Sequence, residues 1–315
     1  MARLMLFRIV MFAAVVSSTV RTNADTFGSG ANTFDIEFVT IGNPGNSADA
    51  IGAPFPAGKV DYTYRMGQFE ISEQIIDKVN AQSAADGSPL GITTTNRGPD
   101  KPATQITWFE AAKIVNWLNT DSGSLPAYKF DGSGSFQLWQ PGDAGYDANN
   151  LYRNKLATYF LPSVHEWYKA AYYDPTGVYY DYPTGSNTAP LPVSSGTAAD
   201  TAAYDQSFAT GPADIMLAGG LSPYGTMGQG GNVIEWVETD FDLVNDSILT
   251  STGRGVYGGD WGSNSNALLS LNWSVNFASS AGSVSGFRVA SIPEPNASLL
   301  ASLGGLAALP WKRQR

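Results

Sequence analysis

The sequence predicts an α+β domain with little regular secondary structure. Three segments carry helix signals, four short runs are β-rich, and 34 Gly and 18 Pro among 315 residues punctuate the rest. With 8 Trp, 15 Tyr and 15 Phe the chain can bury a large core, which argues against disorder. No period of about 20–50 residues recurs, so a solenoid or propeller is excluded.

The elements follow in chain order. Asp35-Ile36-Glu37-Phe38-Val39 and Tyr62-Thr63-Tyr64-Arg65-Met66 are alternating or β-rich and read as strands. A helix starts at Ser72 and runs through Ile75, Ile76 and Val79. Thr107-Trp108-Phe109-Glu110 is a capping box: a hydroxyl caps the first turn and a Glu three residues on returns the bond. That helix continues to about Asn119, with Ala111, Ala112, Val115 and Leu118 on one face. Ser163-Val164-His165-Glu166 is a second capping box, and its helix carries Trp167, Ala170 and Ala171 inward. It ends before Asp174-Pro175-Thr176-Gly177. Leu191–Ala209, rich in Ser, Thr and Ala, reads as an insertion. Val256-Tyr257 and Gly286-Phe287-Arg288-Val289-Ala290 complete the strands. The long loops between them mark either function or a looped fold type.

Charge excludes one class of partner. Six of the 18 basic residues but only one of the 28 acidic residues fall in the two ends, so residues 25–292 carry a net charge of −15. Such a body repels phosphate backbones and predicts no nucleic-acid binding. Cysteine is absent, which removes disulfides, thiolate nucleophiles and zinc–thiolate or iron–sulfur sites. His165 is the single histidine. As the second helical residue after a cap it reads as ordinary helix surface, not as the base of a Ser-His-Asp set. Asp240-Phe241-Asp242 with Asn245 and Asp246 lacks the Gly and closing Glu of a calcium loop and reads as a solvated acidic loop.

The ends read as addresses. Arg3 and Arg8 precede the apolar run Ile9–Val16, and Thr22-Asn23-Ala24 places small residues before a cut. A signal peptide over 1–24, removed by signal peptidase, is expected, with the mature body at 25–292. At the other end, Pro293-Glu294-Pro295 precedes an apolar stretch from Ala297 to Pro310, and Trp311-Lys312-Arg313-Gln314-Arg315 closes it. The apolar part is marginal for a bilayer core of about 30 Å. Residues 293–315 resemble the PEP-CTERM sorting signal of bacterial proteins. The resemblance implies export, transient membrane contact through this segment, processing by an exosortase and delivery to the cell surface or extracellular matrix. An ordinary C-terminal anchor is the alternative.

The body carries a second resemblance. Val60–Ser72, Pro102–Trp108, Phe160–Ser163 with Glu166–Ala171, Tyr182–Gly185, Ser222–Gly225, Gly230–Trp236, Gly258–Trp261 and Gly286–Val289 stand in an ordered set. Together, over roughly residues 35–291, they resemble the sulfatase-modifying-factor family, which includes formylglycine-generating enzymes. The resemblance implies a compact, looped α+β fold related to C-type lectins. Active members bind copper through a cysteine pair after a Gly-Gly-Ser-aromatic motif, and oxidise a sulfatase cysteine with oxygen. Here the motif is Gly258-Gly259-Asp260-Trp261, and the cysteine positions fall on Ser263 and about Leu268. Cu(I) wants soft ligands, which a hydroxyl and an alkyl group do not supply. Iron-dependent relatives use a His-rich set that one histidine does not provide. The expectation is a pseudoenzyme without copper and with no catalytic residue.

The family's calcium site carries over onto Gly231, Val233 and Glu235, with Gly228 where a side-chain ligand would stand. That gives a weak calcium site at best. The alternative is that Glu235 pairs inside the core, with Arg288 as a partner. Trp261, Asp260, Tyr180 and Tyr182 combine aromatic faces with carboxylates, a composition suited to sugars, and are the expected binding residues; core packing is the alternative. The reading is an exported binding or structural module. A formylglycine-generating or other oxygen-dependent oxidoreductase and an exopolysaccharide-binding module are the alternatives.

Overall fold

A computed structural model describes residues 22–249 and 252–293. The expected sorting tail beyond Pro293, and the leader up to residue 21, lie outside the described residues. The elements are β1 (Thr22–Phe27), β2 (Phe34–Ile41), β3 (Tyr64–Gly67), α1 (Glu73–Ala85), α2 (Trp108–Asp121), β4 (Lys129–Phe130), β5 (Phe136–Gln137), β6 (Tyr159–Phe160) and α3 (Val164–Tyr172). Then follow β7 (Leu191–Pro192), β8 (Thr201–Ala202), β9 (Ile234–Asp240), β10 (Gly253–Tyr257), β11 (Ser274–Phe277), β12 (Ser285–Phe287) and β13 (Ala290–Ser291). The architecture is the mixed, loop-rich α+β fold that the capped helices and short strands predict. Among the described residues, no helix is long and apolar enough to cross a membrane.

The helices start where their caps place them. Ser72, Thr107 and Ser163 each accept a bond from the backbone N–H three residues on, and Glu110 and Glu166 close both capping boxes. Ala111, Ala112, Val115 and Leu118 are fully buried. The strands form two main sheets. One has the order β1-β2-β3-β13-β6, the other β11-β10-β9-β12, with β9 and β12 parallel. β2 alternates buried and exposed residues over its first half, the signature of a half-covered strand. β1 begins at Thr22, ahead of the expected mature start at Asp25, and pairs from Thr22↔Val39 to Phe27↔Phe34.

Two reciprocal indole bonds join the second sheet to α2. Trp108 donates to the Val237 carbonyl at 3.0 Å, and Trp236 donates to the Ile106 carbonyl at 2.8 Å. A buried Trp N–H costs free energy unless it finds an acceptor, so each bond fixes ring and strand together. Tyr128 and Phe136 meet Trp108 edge-on at 5.3 and 5.2 Å.

Two expectations change. Residues 191–209 are not an appended insertion: β7 pairs with β8, and Ala202, Ala203 and Tyr204 are buried. Asn232 N–H donates to the Ala203 carbonyl at 2.7 Å, which splices this stretch into the body. The 240–246 segment is not simply a solvated acidic loop. Asp240 is buried, accepting from Arg254 at 2.9 Å and Tyr152 at 2.6 Å, while the Asn245 amide oxygen takes the Asp240 N–H. Only Asp242 and Asp246 face solvent in the way expected.

Thr107→Ala removes the hydroxyl of the α2 capping box. It should cost about 1 kcal/mol of stability, read by urea denaturation with an unchanged m-value. No change in midpoint would show that packing alone sets the start of α2.

Candidate functional site

The Gly258-Gly259-Asp260-Trp261 segment leaves β10 in a turn that requires its glycines. Both have positive φ (+94° and +69°), and a Cβ on Gly258 would lie 2.9 Å from the Gln229 carbonyl oxygen. Ser263 Cβ and Leu268 Cδ1 both lie within 3.4 Å of where a Gly259 Cβ would stand. The fold therefore brings the two expected cysteine positions together, although they are separated by a short 3₁₀ turn, Ser265–Leu268, that Asn264 caps. Ser263 Oγ accepts from Asp260 N–H at 3.1 Å, leaving its own proton free to donate. Leu268 is fully buried against Tyr182, Ala202 and Tyr204. A hydroxyl beside an alkyl group offers a hydrogen bond and no redox chemistry.

The four residues expected to bind are mostly interior. Asp260 is 7% exposed and its carboxylate accepts from Gly262 N–H at 2.7 Å, so it shapes the turn. Trp261 is 1% exposed, with Arg97 stacked 4.8 Å from its ring and Phe208 edge-on at 5.7 Å. No sugar face can reach it. Tyr182 is buried beneath Leu268. Tyr180 is half-buried and donates to Asp174 at 3.2 Å. The structure joins Asp260 and Trp261 to Ser263 in one turn but does not gather the tyrosines with them into an open surface.

His165 is half-buried and Nδ1 accepts from Gly58 N–H at 3.3 Å, with burial lowering its pKa. It packs a loop rather than serving as a base.

Glu235 is 0% exposed and so is Arg288. Arg288 Nε donates to Glu235 Oε2 at 2.6 Å, and Nη2 donates to Oε1. Trp167 Nε1 donates to Oε2 at 2.6 Å. Both carboxylate oxygens are thus taken by donors, and a guanidinium stands at the face a cation would need. Gly228 offers no ligand, and a Cβ there would meet the Glu70 carboxylate at 2.7 Å. Glu235 thus belongs to a buried ion pair with Arg288 and is not placed as a calcium ligand.

Glu70 is the residue that sequence reading missed here. It is buried, and its carboxyl accepts from Asn232 Nδ2 at 3.0 Å. Burial first, and the neighbouring Glu235 second, push its pKa up to about 8. The folded protein therefore holds Glu70 neutral near pH 7, where an unfolded carboxyl is charged.

A shallow groove of about 130 Å³ opens beside Ser263, lined also by Tyr257, Asn272, Trp273, Ser274 and Asn276. Nothing in the sequence singled out Trp273. The alternating Gly253 and Gly255 on β10 were the available signal, since glycines two apart on a strand leave one face bare.

The family model for the sulfatase-modifying factor enzyme 1-like domain matches residues 21–292. No curated protein sequence matches this chain significantly. Among solved structures, Treponema denticola variable protein 1 superposes with a TM-score of 0.58 at 17% identity, covering 87% of this chain and 100% of its own. CarF gives 0.57 at 17%, covering 82% and 99%. PvdO from Pseudomonas aeruginosa gives 0.52 at 16%, covering 85% and 98%. At these identities the likeness is one of fold.

Three outcomes follow from the buried carboxyls. Glu70 has its folded pKa above its unfolded value, so its contribution is complete below the ordinary carboxyl range near 4.5 and is lost as pH rises through about 8. Glu70→Gln should flatten the fall in Tm between pH 5 and 9; an unchanged slope would contradict the raised pKa. Arg288→Met strands Glu235 and should cost about 3–5 kcal/mol. The parent Tm should be the same in calcium and in EDTA, and a calcium-dependent rise would restore the metal site.

Proposed function

We propose a noncatalytic role for this chain, which belongs to the sulfatase-modifying factor enzyme 1-like domain family. It acts as an exported, surface- or matrix-sorted binding or structural module without formylglycine-generating activity. The observation that carries this reading is the pair Ser263 and Leu268, side by side around Gly259 where the family resemblance puts its cysteines. Copper-thiolate chemistry needs soft, deprotonated sulfur. A serine hydroxyl is hard and protonated at neutral pH, and leucine has no donor atom. The chain holds no cysteine elsewhere to substitute for them.

Export is supported by the two ends. Arg3 and Arg8 before the apolar Ile9–Val16 suit signal peptidase processing, and Pro293-Glu294-Pro295 before an apolar segment and a basic end suits exosortase processing. In this reading the C-terminal segment gives transient membrane contact before the body reaches the surface or matrix. An exopolysaccharide is the natural partner in that setting, and no metal is needed to hold the body together.

Copper(I) titration separates a lost redox centre from a displaced one. The parent chain should bind no Cu(I) tightly, while the Ser263→Cys, Leu268→Cys double variant should bind about one equivalent through adjacent thiolates. Tight stoichiometric copper in the parent would overturn the proposal.

A further inference from the structure

We propose that the groove between Trp273 and Ser263 is a binding subsite for a neutral saccharide, with Trp273 and Phe241 as its stacking platform. This rests on the binding-module reading and gives that module a ligand class.

The platform is built into β10. Gly253 and Gly255 fall on one face of the strand, two residues apart. A Cβ on Gly255 would lie 3.1 Å from Trp273 Cζ3, and one on Gly253 would lie 3.5 Å from Phe241 Cβ. Trp273 therefore lies against Gly255 beside Val237, while Gly253 is covered mainly by Val275 with the Phe241 Cβ next to it. The two rings are stacked, 12° from parallel with centroids 6.5 Å apart. Tyr257 braces Trp273 from below at 6.3 Å. Phe241 is 60% exposed and Trp273 is half-buried, in contrast to the covered Trp261. The exposed ring of Phe241 and the partly open ring of Trp273 offer apolar faces to the C–H faces of a sugar.

The polar lining identifies the ligand's charge. Asn272, Ser274, Asn276 and Ser263 supply amides and hydroxyls, which both donate and accept, as sugar hydroxyls do. The groove lining has no acid or base. Residues 261–287 contain no Asp, Glu, Lys or Arg, within a body of net charge −15. An uncharged face on an acidic protein attracts neither a cation nor a polyanion by Coulomb forces, and it leaves an uncharged, hydroxyl-rich ligand as the match. The volume of about 130 Å³ is well below the roughly 300 Å³ of a drug-sized site. It suits one sugar ring in the groove, with the next lying over Phe241.

The test uses the full-length chain in a detergent without a sugar headgroup, titrated with cellohexaose, mannohexaose and a hexagalacturonate, read by calorimetry and tryptophan fluorescence. At least one neutral hexamer should bind in the micromolar to millimolar range, unaffected by EDTA. Trp273→Ala should weaken it at least tenfold, and Asn276→Ala, which leaves the aromatic packing untouched, several-fold. Phe241→Ala should weaken the hexamer more than the matching trisaccharide, titrated in parallel. Binding that survives both Trp273→Ala and Asn276→Ala would overturn this subsite while leaving the module reading intact. Failure of both neutral hexamers to bind, or equal affinity for the hexagalacturonate, would overturn the ligand class. Concentration-dependent dimerisation abolished by Phe241→Ser, with no saccharide binding, would overturn the proposal and assign the face to a second copy. Thiol oxidation by the chain would instead overturn the noncatalytic role, whatever these titrations show.

Discussion

Glu235 sits in the middle of the second sheet with no access to water, and much of the structure is arranged around keeping it satisfied. Arg288 lies beside it, from the turn between β12 and β13, and supplies two bonds. The same guanidinium donates to the carbonyls of Gly67 at 2.9 Å and Met227 at 2.9 Å. One side chain thus pins the end of β3, the loop before β9, and β9 itself. Such a pair is not a large net source of stability, because desolvating both charges offsets much of their attraction. Its effect is to make the alternatives expensive. Any register of β9 that separates Glu235 from Arg288 leaves a bare charge in the core.

The rest of β9 repeats the device. Glu238 accepts from Arg153 at 2.7 Å, from Tyr128 at 2.8 Å and from Asn150 at 2.6 Å. Arg153 also reaches Glu166 of the α3 capping box at 3.0 Å, so the helix start and the strand share a cation. That guanidinium, acting against the effect of burial, holds the Glu166 pKa below its ordinary value. Asp240 closes the strand with Arg254, whose guanidinium stacks 4.9 Å from Trp108. Three buried acids on one strand, each with its own arginine, tie β9 to β3, α3, α2 and β10. The turn from Gly258 to Leu268 hangs from this frame, through Trp261 N–H to the Asn232 carbonyl at 3.0 Å. Backbone bonds to this frame thus help hold positions 263 and 268 beside Gly259.

The legible parts of the sequence were those with local physical signals. Caps at Ser72, Thr107 and Ser163 mark helix starts because a hydroxyl must meet an orphan N–H within three residues. β9 was not legible as a strand. Ile234–Asp240 is buried on both faces and carries Glu235, Glu238 and Asp240, so it shows neither alternation nor a hydrophobic run. Its partners are 53, 85 and 14 residues away. The candidate site divides in the same manner. The family resemblance at Gly258-Gly259-Asp260-Trp261 pointed to Ser263 and about Leu268. Aromatic residues beside carboxylates suggested Trp261 and Tyr182, but composition does not distinguish a covered ring from an open one. Trp273 and Phe241 are 32 residues apart in sequence, and the fold stacks their rings beside β10.

The proposed role rests on a family scaffold that carries no cysteine. Incubating the full-length chain with copper, dioxygen, a reductant and a cysteine-containing sulfatase peptide, then following the peptide mass and oxygen uptake, tests it most directly. An unmodified peptide is expected, with oxygen uptake no faster than in buffer with the same copper and reductant. Formation of the aldehyde product at a rate proportional to the protein would contradict it.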